Sequence, residues 1–164
     1  MTLAENALLT AHRRGMVRWG LVDSAAVAAF TRECIDRFRV ASSGPEARAD
    51  SLSGGNLQKF VVGREVLQQP KVLVVAQPTW GVDVGAAAFI RQALLDLSAA
   101  GTAVLVISEE LDELFEICDR IAVIANGKLS PAKRTSDTSV EEIGLRMGGT
   151  WEGADGAPEI ANAP

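Results

Sequence analysis

The residues best suited to chemistry are Leu52-Ser53-Gly54-Gly55-Asn56-Leu57-Gln58-Lys59, after which a helical pattern continues to Gln69. Ser53 is a small hydroxyl residue placed to cap that helix, and the two glycines allow backbone N–H groups to approach a ligand closely. A helix start also carries the positive end of the macrodipole, so the combination suits an oxyanion such as a phosphate. An ordinary Ser-capped helix after a glycine turn would use the same residues. What separates the two readings is the chain that follows.

Other reactive candidates are few. The single histidine, His12, stands beside Arg13 and Arg14 and reads as an exposed helix-end residue. Cys34 and Cys118 lie far apart in apolar helical patterns. Buried free thiols in a reducing cytosol fit them better than a disulfide, which sequence leaves open. No spacing of His, Cys, Asp or Glu resembles a metal site. With 16 basic and 21 acidic residues the chain is mildly acidic, which argues against a nucleic-acid partner. No apolar run reaches the roughly 18 residues of a membrane span. Met1-Thr2-Leu3-Ala4-Glu5 lacks the basic start and apolar core of a signal peptide.

The elements that must position the glycine-opened helix follow from periodicity. Thr2-Leu3-Ala4-Glu5 is a capping box, predicting a helix to about Arg14. Met16 to Val22 reads as a connector with an exposed Trp19. Asp23 or Ser24 caps a second helix whose Val27, Phe30, Cys34, Ile35 and Phe38 share one face. Ser42 to Asp50 is a polar loop. Residues 1–69 therefore read as a helical subdomain ending in the glycine-opened helix.

Beyond Pro70 the pattern changes. Val72-Leu73-Val74-Val75-Ala76 is a short apolar run suited to a strand buried on both faces. Gln77-Pro78-Thr79-Trp80-Gly81 turns the chain into a helix over Val84 to Ala99, closed by Gly101. Thr102 to Ser108 predicts a second strand, Glu109 to Cys118 a helix, and Arg120 to Ala125 a third strand ending at the Asn126-Gly127 hairpin signal. The alternation predicts an α/β fold with a parallel sheet over 70–149. Val140 to Met147 is a last short helix, and 150–164, rich in Gly, Ala and Pro, reads as a disordered tail.

Taken together these residues resemble ABC-type ATPases, whose fold is P-loop NTPase-like. Leu52 to Asn56 is similar to the family's signature sequence, and Val72 to Gln77 stands where its Walker B strand belongs. Pro78 to Asp83 matches the turn and D-loop, and Val106-Ile107-Ser108 leads to the switch-histidine position. The resemblance covers roughly residues 1–149. The wording of Ala76 to Ala86, with Ser108-Glu109-Glu110-Leu111, is nearest to the C-terminal cassette of tandem ATP-binding subunits in bacterial simple-sugar and nucleoside importers.

The resemblance also exposes departures. The phosphate cradle G-x-x-x-x-G-K-[ST] occurs nowhere in the sequence. The family has it upstream of the matched region, so the chain reads as the second half of a cassette lacking its Walker A half. Ala76 occupies the Walker B aspartate position, and a methyl group cannot ligate Mg²⁺. Gln77 replaces the catalytic glutamate, and losing a general base costs about 10²–10⁴-fold in rate. Glu109 replaces the histidine, where an ionised carboxylate would repel a γ-phosphate. These three positions jointly predict that the chain alone is inactive.

What survives faces a partner. In the family two cassettes pair head to tail, and one signature closes over nucleotide held by the other. By resemblance Ser53, Gly54, Gly55 and Asn56 form that lid in trans, and Asp83 is the D-loop residue at the interface. ATP and Mg would be held mainly by the partner cassette. The implied partners are the missing N-terminal cassette half or a partner cassette, together with membrane-spanning permease subunits. The implied location is peripheral, on the cytoplasmic face of the membrane. Two alternatives stand beside this. One is a non-catalytic scaffold, for which an open helix start is unnecessary; the other is a DNA-maintenance ABC-type ATPase, whose signature normally follows a long coiled coil.

Overall fold

The computed structural model describes residues 1–12 and 14–150, in two compact units that divide between Ile107 and Ser108. In the first unit, α1 spans Leu3–Ala11 and opens on the capping box, with Thr2 Oγ1 accepting from Glu5 N–H and Glu5 Oε2 from Thr2 N–H. The expected connector is instead a small antiparallel hairpin of β1 (Val17–Arg18) and β2 (Leu21–Val22). Trp19 and Gly20, at φ 55° and 79°, make its two-residue loop. Positive φ at both loop positions matches the twist of a hairpin, but a tryptophan there gives no turn signal in sequence.

Asp23 caps α2 (Ser24–Arg37), and Ser53 caps α3 (Gly54–Val66). These helices and α1 enclose one core containing Leu3, Ala7, Val27, Phe30, Cys34, Phe38 and Phe60, so the face predicted for α2 is the buried one. Arg64 on α3 donates to the Asn6 carbonyl of α1 at 2.9 Å, joining the two helices at the core's margin.

Cys34 is a buried free thiol whose S–H donates to the Phe60 carbonyl at 3.6 Å. Burial, only partly offset by the Arg64 charge, pushes its pKa from 9.0 to about 12. The folded value lies above the unfolded one, so folding favours the protonated thiol. That contribution is complete below pH 9 and is lost as pH rises from 9 towards about 12. The native chain should leave Cys34 unlabelled by a thiol reagent at pH 8, whereas urea-unfolded chain labels it. A denaturation midpoint that falls above pH 9, and falls less in Cys34→Ala, would carry the same message.

The turn after α3 leads into β3 (Val72–Ala76), α4 (Val84–Ala99) and β4 (Ala103–Ile107). β3 and β4 pair in parallel from Val72 opposite Ala103 to Ala76 opposite Ile107. Asp83 caps α4, and Gly101 turns the chain after it at φ 96°. The expectation that β3 is buried on both faces is not met: Leu73 is buried and Val75 half-buried, while Val72, Val74 and Ala76 are exposed.

The second unit contains α5 (Leu111–Ile117), β5 (Arg120–Ile121), β6 (Ile124–Ala125), β7 (Lys128–Leu129), β8 (Lys133–Arg134) and α6 (Val140–Met147). The third strand expected over Arg120 to Ala125 is thus two short pieces, each in an antiparallel pair. β6 pairs with β7 across Asn126-Gly127, whose φ values of 51° and 73° reverse the chain as the sequence signal requires. β5 pairs with β8. Ser130 fills the interval by accepting from Val123 N–H through Oγ at 2.9 Å. Among the described residues the parallel sheet therefore has two strands. The tail reading lies, from residue 151 on, outside the described residues.

Candidate functional site: the glycine-opened helix

The start of α3 is built as its sequence demands. Ser53 is extended (φ −65°, ψ 155°), and its Oγ accepts from Asn56 N–H at 3.5 Å and from Asn56 Nδ2 at 2.9 Å. Asn56 Oδ1 in turn accepts from Ala41 N–H at 2.9 Å. The Asn56 amide thus holds the serine on one side and the segment after α2 on the other. Ser53 and Gly54 are exposed, and the first-turn N–H groups of a helix have no intrahelical acceptor. A solvent-facing hydroxyl beside free N–H donors at the positive end of a 13-residue helix can take a phosphate oxygen.

The two glycines have different reasons to be glycine. A Cβ on Gly54 would lie 3.5 Å from the Gly81 carbonyl, an ordinary contact. Gly55 is buried, and a Cβ there would meet Asp83 Oδ2 at 3.2 Å and Ala86 Cβ at 3.4 Å. Close approach to α4 therefore explains Gly55 at least as well as approach to a ligand. Asp83 uses Oδ1 to accept from Ala86 N–H at 2.9 Å, and its other oxygen faces Gly55. The fold thus brings Ser53, Gly54, Gly55 and Asp83 to one place.

A second tie runs lower on the same helix. Gln58 Nε2 donates to the Gln77 carbonyl at 3.3 Å, and Gln77 N–H donates to the Ile107 carbonyl at 2.8 Å. Gln77 itself is left-handed at φ 49°, a conformation that costs a side-chain-bearing residue of order 1 kcal/mol or more. Sequence reasoning singled out Gln77 but not this link. Gln58 lies one turn beyond Gly54 and Gly55 on the helix, and that spacing was the available signal. Ala76, one residue earlier, ends β3 and is exposed. Glu109 is exposed in the second unit, where Ser108 Oγ caps Glu110 N–H at 3.1 Å just before α5.

No family model matches the chain. The nucleoside import ATP-binding protein of Lactococcus lactis subsp. cremoris is 42% identical over 150 residues, 91% of this chain and 30% of that protein. The galactose/methyl galactoside import ATP-binding protein of Mannheimia succiniciproducens is 38% identical over 143 residues, 87% of this chain and 28% of the relative. The chain is homologous to ABC importer ATP-binding proteins. It spans about 30% of the length of these relatives.

Solved structures place the fold in the same group. A dimeric ATP-binding cassette in a post-hydrolysis state, bound to ADP and Pi, superposes with TM-score 0.68 at 20% identity, over 82% of this chain and 57% of that one. A putative metal-chelate type ABC transporter in an inward-facing conformation gives TM-score 0.73 at 13% identity, over 91% and 58%. At such identities the likeness concerns fold, which is that of ABC ATPase cassettes. The strand, turn and helix order from β3 to α4 therefore has the architecture that the sequence resemblance implied.

Proposed function

We propose that this chain is part of an ATP-binding cassette serving uptake of a simple sugar or nucleoside, and that it contributes its signature helix to nucleotide held by a partner cassette. The observation carrying the reading is the open start of α3, where Ser53 is exposed and held by Asn56 while Asp83 stands against Gly55. Ser53 and the N–H groups of Gly54 and Gly55 bind phosphate oxygens, Asn56 orients the serine, and Asp83 lies at the interface between cassettes. These groups fit ATP. They do not fit Mg²⁺ at position 76, so the metal belongs to the partner's cradle. When bound, Mg-ATP supplies the phosphoryl group that is transferred to water.

Ala76, Gln77 and Glu109 support the companion claim that this chain has no complete hydrolytic centre of its own. The importers named by its relatives support permease subunits as partners and a peripheral position at the membrane's inner face. No helix among the described residues is long and apolar enough to cross a membrane. Residues 1–69 form the helical subdomain that meets the permease in this reading, and 70–149 the second half of the α/β core.

The test is ATP turnover by the chain reassembled with its partner cassette. Ser53→Arg fills the helix start with a long side chain and should lower turnover at least about tenfold, equivalent to about 1.4 kcal/mol in the barrier. Unchanged turnover would rule out the lid and favour a scaffold.

A further inference from the structure

The hairpin of β1 and β2 is apolar where it is most exposed. Its base is fixed: Met16 is buried in the helical core, and Asp23 N–H donates to the Met16 carbonyl at 2.8 Å before the Asp23 side chain caps α2. Beyond that base both strands are open to solvent, with Val17 opposite Val22 and Arg18 opposite Leu21. Leu21 is 75% exposed, and Trp19 in the loop is 101% exposed. Asn or Gly suits the left-handed position that Trp19 holds at φ 55°, so the tryptophan stands there against its own backbone preference. A tryptophan that buries none of its surface adds no packing to the fold, and with three exposed aliphatic neighbours it calls for a contact outside the chain.

Charge selects the kind of surface. The chain carries a net charge of −5, yet residues 6–22 contain His12, Arg13, Arg14 and Arg18 and no carboxylate. Arg14 is used within the fold, lying over the Phe30 ring and donating to the Leu67 carbonyl, whereas Arg18 is exposed on the hairpin itself. Tryptophan with aliphatic neighbours and a nearby arginine is the composition of a membrane-interface contact, in which indole sits at headgroup level and guanidinium meets phosphate. Size argues against a protein partner. Two strands of two residues and their loop offer far less than the roughly 800 Å² that each side of a stable protein interface buries, while a fluid bilayer admits a narrow tip. We propose that the hairpin of residues 17–22 inserts Trp19 and Leu21 into the headgroup region of an anionic phospholipid membrane, with Arg18 against lipid phosphate. The contact uses no residue at the start of α3, so it and the lid in trans can fail separately.

The test uses the 164-residue chain with Trp80→Phe and Trp151→Phe, which leave Trp19 as the only tryptophan. It is mixed with vesicles of phosphatidylcholine and phosphatidylglycerol, or of phosphatidylcholine alone. Flotation reads binding, and Trp19 emission reads insertion. The expected result is binding to the anionic vesicles with a blue-shifted emission that brominated lipid quenches. Binding to neutral vesicles should be at least about fivefold weaker, the worth of one basic residue near an anionic surface. Trp19→Asn supplies a residue that the left-handed turn favours, so the hairpin keeps its shape while binding should fall at least about tenfold. Arg18→Glu should lower binding to anionic vesicles by at least about tenfold as well, with circular dichroism checking that the chain stays folded. Three vesicle results would overturn the proposal: no binding to anionic vesicles, equal binding to both kinds, or binding that Trp19→Asn leaves unchanged. A blue shift that grows with protein concentration in the absence of vesicles would overturn it too, since the occupant would then be a second copy of the chain.

Discussion

Phe60→Ala should cost the chain about 3–5 kcal/mol, the range for removing a large aromatic side chain from a packed core. Phe60 is fully buried on α3, within the cluster shared by α1 and α2, and its own carbonyl receives the Cys34 thiol. Truncation removes the apolar contacts and leaves a cavity that three joined helices cannot easily close. Small domains have only about 5–15 kcal/mol of total stability, so the loss would shift the urea midpoint by a large fraction of its value. Trp80→Ala is the matching control: this side chain is 72% exposed, and its removal should change stability by less than about 0.5 kcal/mol. A midpoint for Phe60→Ala close to that of the parent chain would contradict the packing of α3 against its neighbours.

The second large effect runs in an unexpected direction for its residue types. Within a helix, Gly to Ala ordinarily gains about 1 kcal/mol. Gly63→Ala should instead destabilise by about 2–3 kcal/mol, near the upper end of the usual overpacking range. A Cβ at Gly63 would stand 2.5 Å and 2.6 Å from Phe38 ring carbons and 3.0 Å from the Cys34 sulfur. Phe38 has little room to retreat, because its ring meets Phe89 edge to face at a centroid distance of 5.9 Å. The measurement is the same urea titration, and a stabilised Gly63→Ala would show that α2 and α3 can move apart at no cost. Phe38→Leu in the Gly63→Ala background should recover part of the loss, because a smaller branched side chain relieves the ring contact.

Both predictions bear on the candidate site, since α3 carries Ser53 at one end and packs through Phe60 and Gly63 along its length. A helix that separates from α1 and α2 no longer presents its start in register with Asp83. Stability of the helical core and presentation of Ser53 at the start of α3 are therefore linked.

Much of this protein was decided by sequence alone, and the reason is distance along the chain. Thr2, Asp23, Ser53 and Asp83 each cap a helix with a group three residues away, so their roles need no knowledge of the fold. The buried stripe of α2, the span of α4 and the Asn126-Gly127 reversal are local in the same sense. The motif order also carried the kinship to ABC cassettes, because several short patterns at fixed separations are far more specific than any one of them.

Tertiary structure decided the rest. Only packing reveals that Gly63 exists to admit Phe38, that Gly55 faces Asp83, and that Gln58 reaches the Gln77 carbonyl. The Val17–Val22 hairpin escaped because its turn places Trp19 in a left-handed conformation that its residue type does not announce. Arg120 to Ala125 has the apolar content of a strand, but the pairings of β5 with β8 and β6 with β7 divide it. The apolar pattern of β3 called for cover on two faces, and the structure shows which of the two is bare. Hydropathy reports how much surface a segment must hide, while the neighbour that hides it is a long-range property.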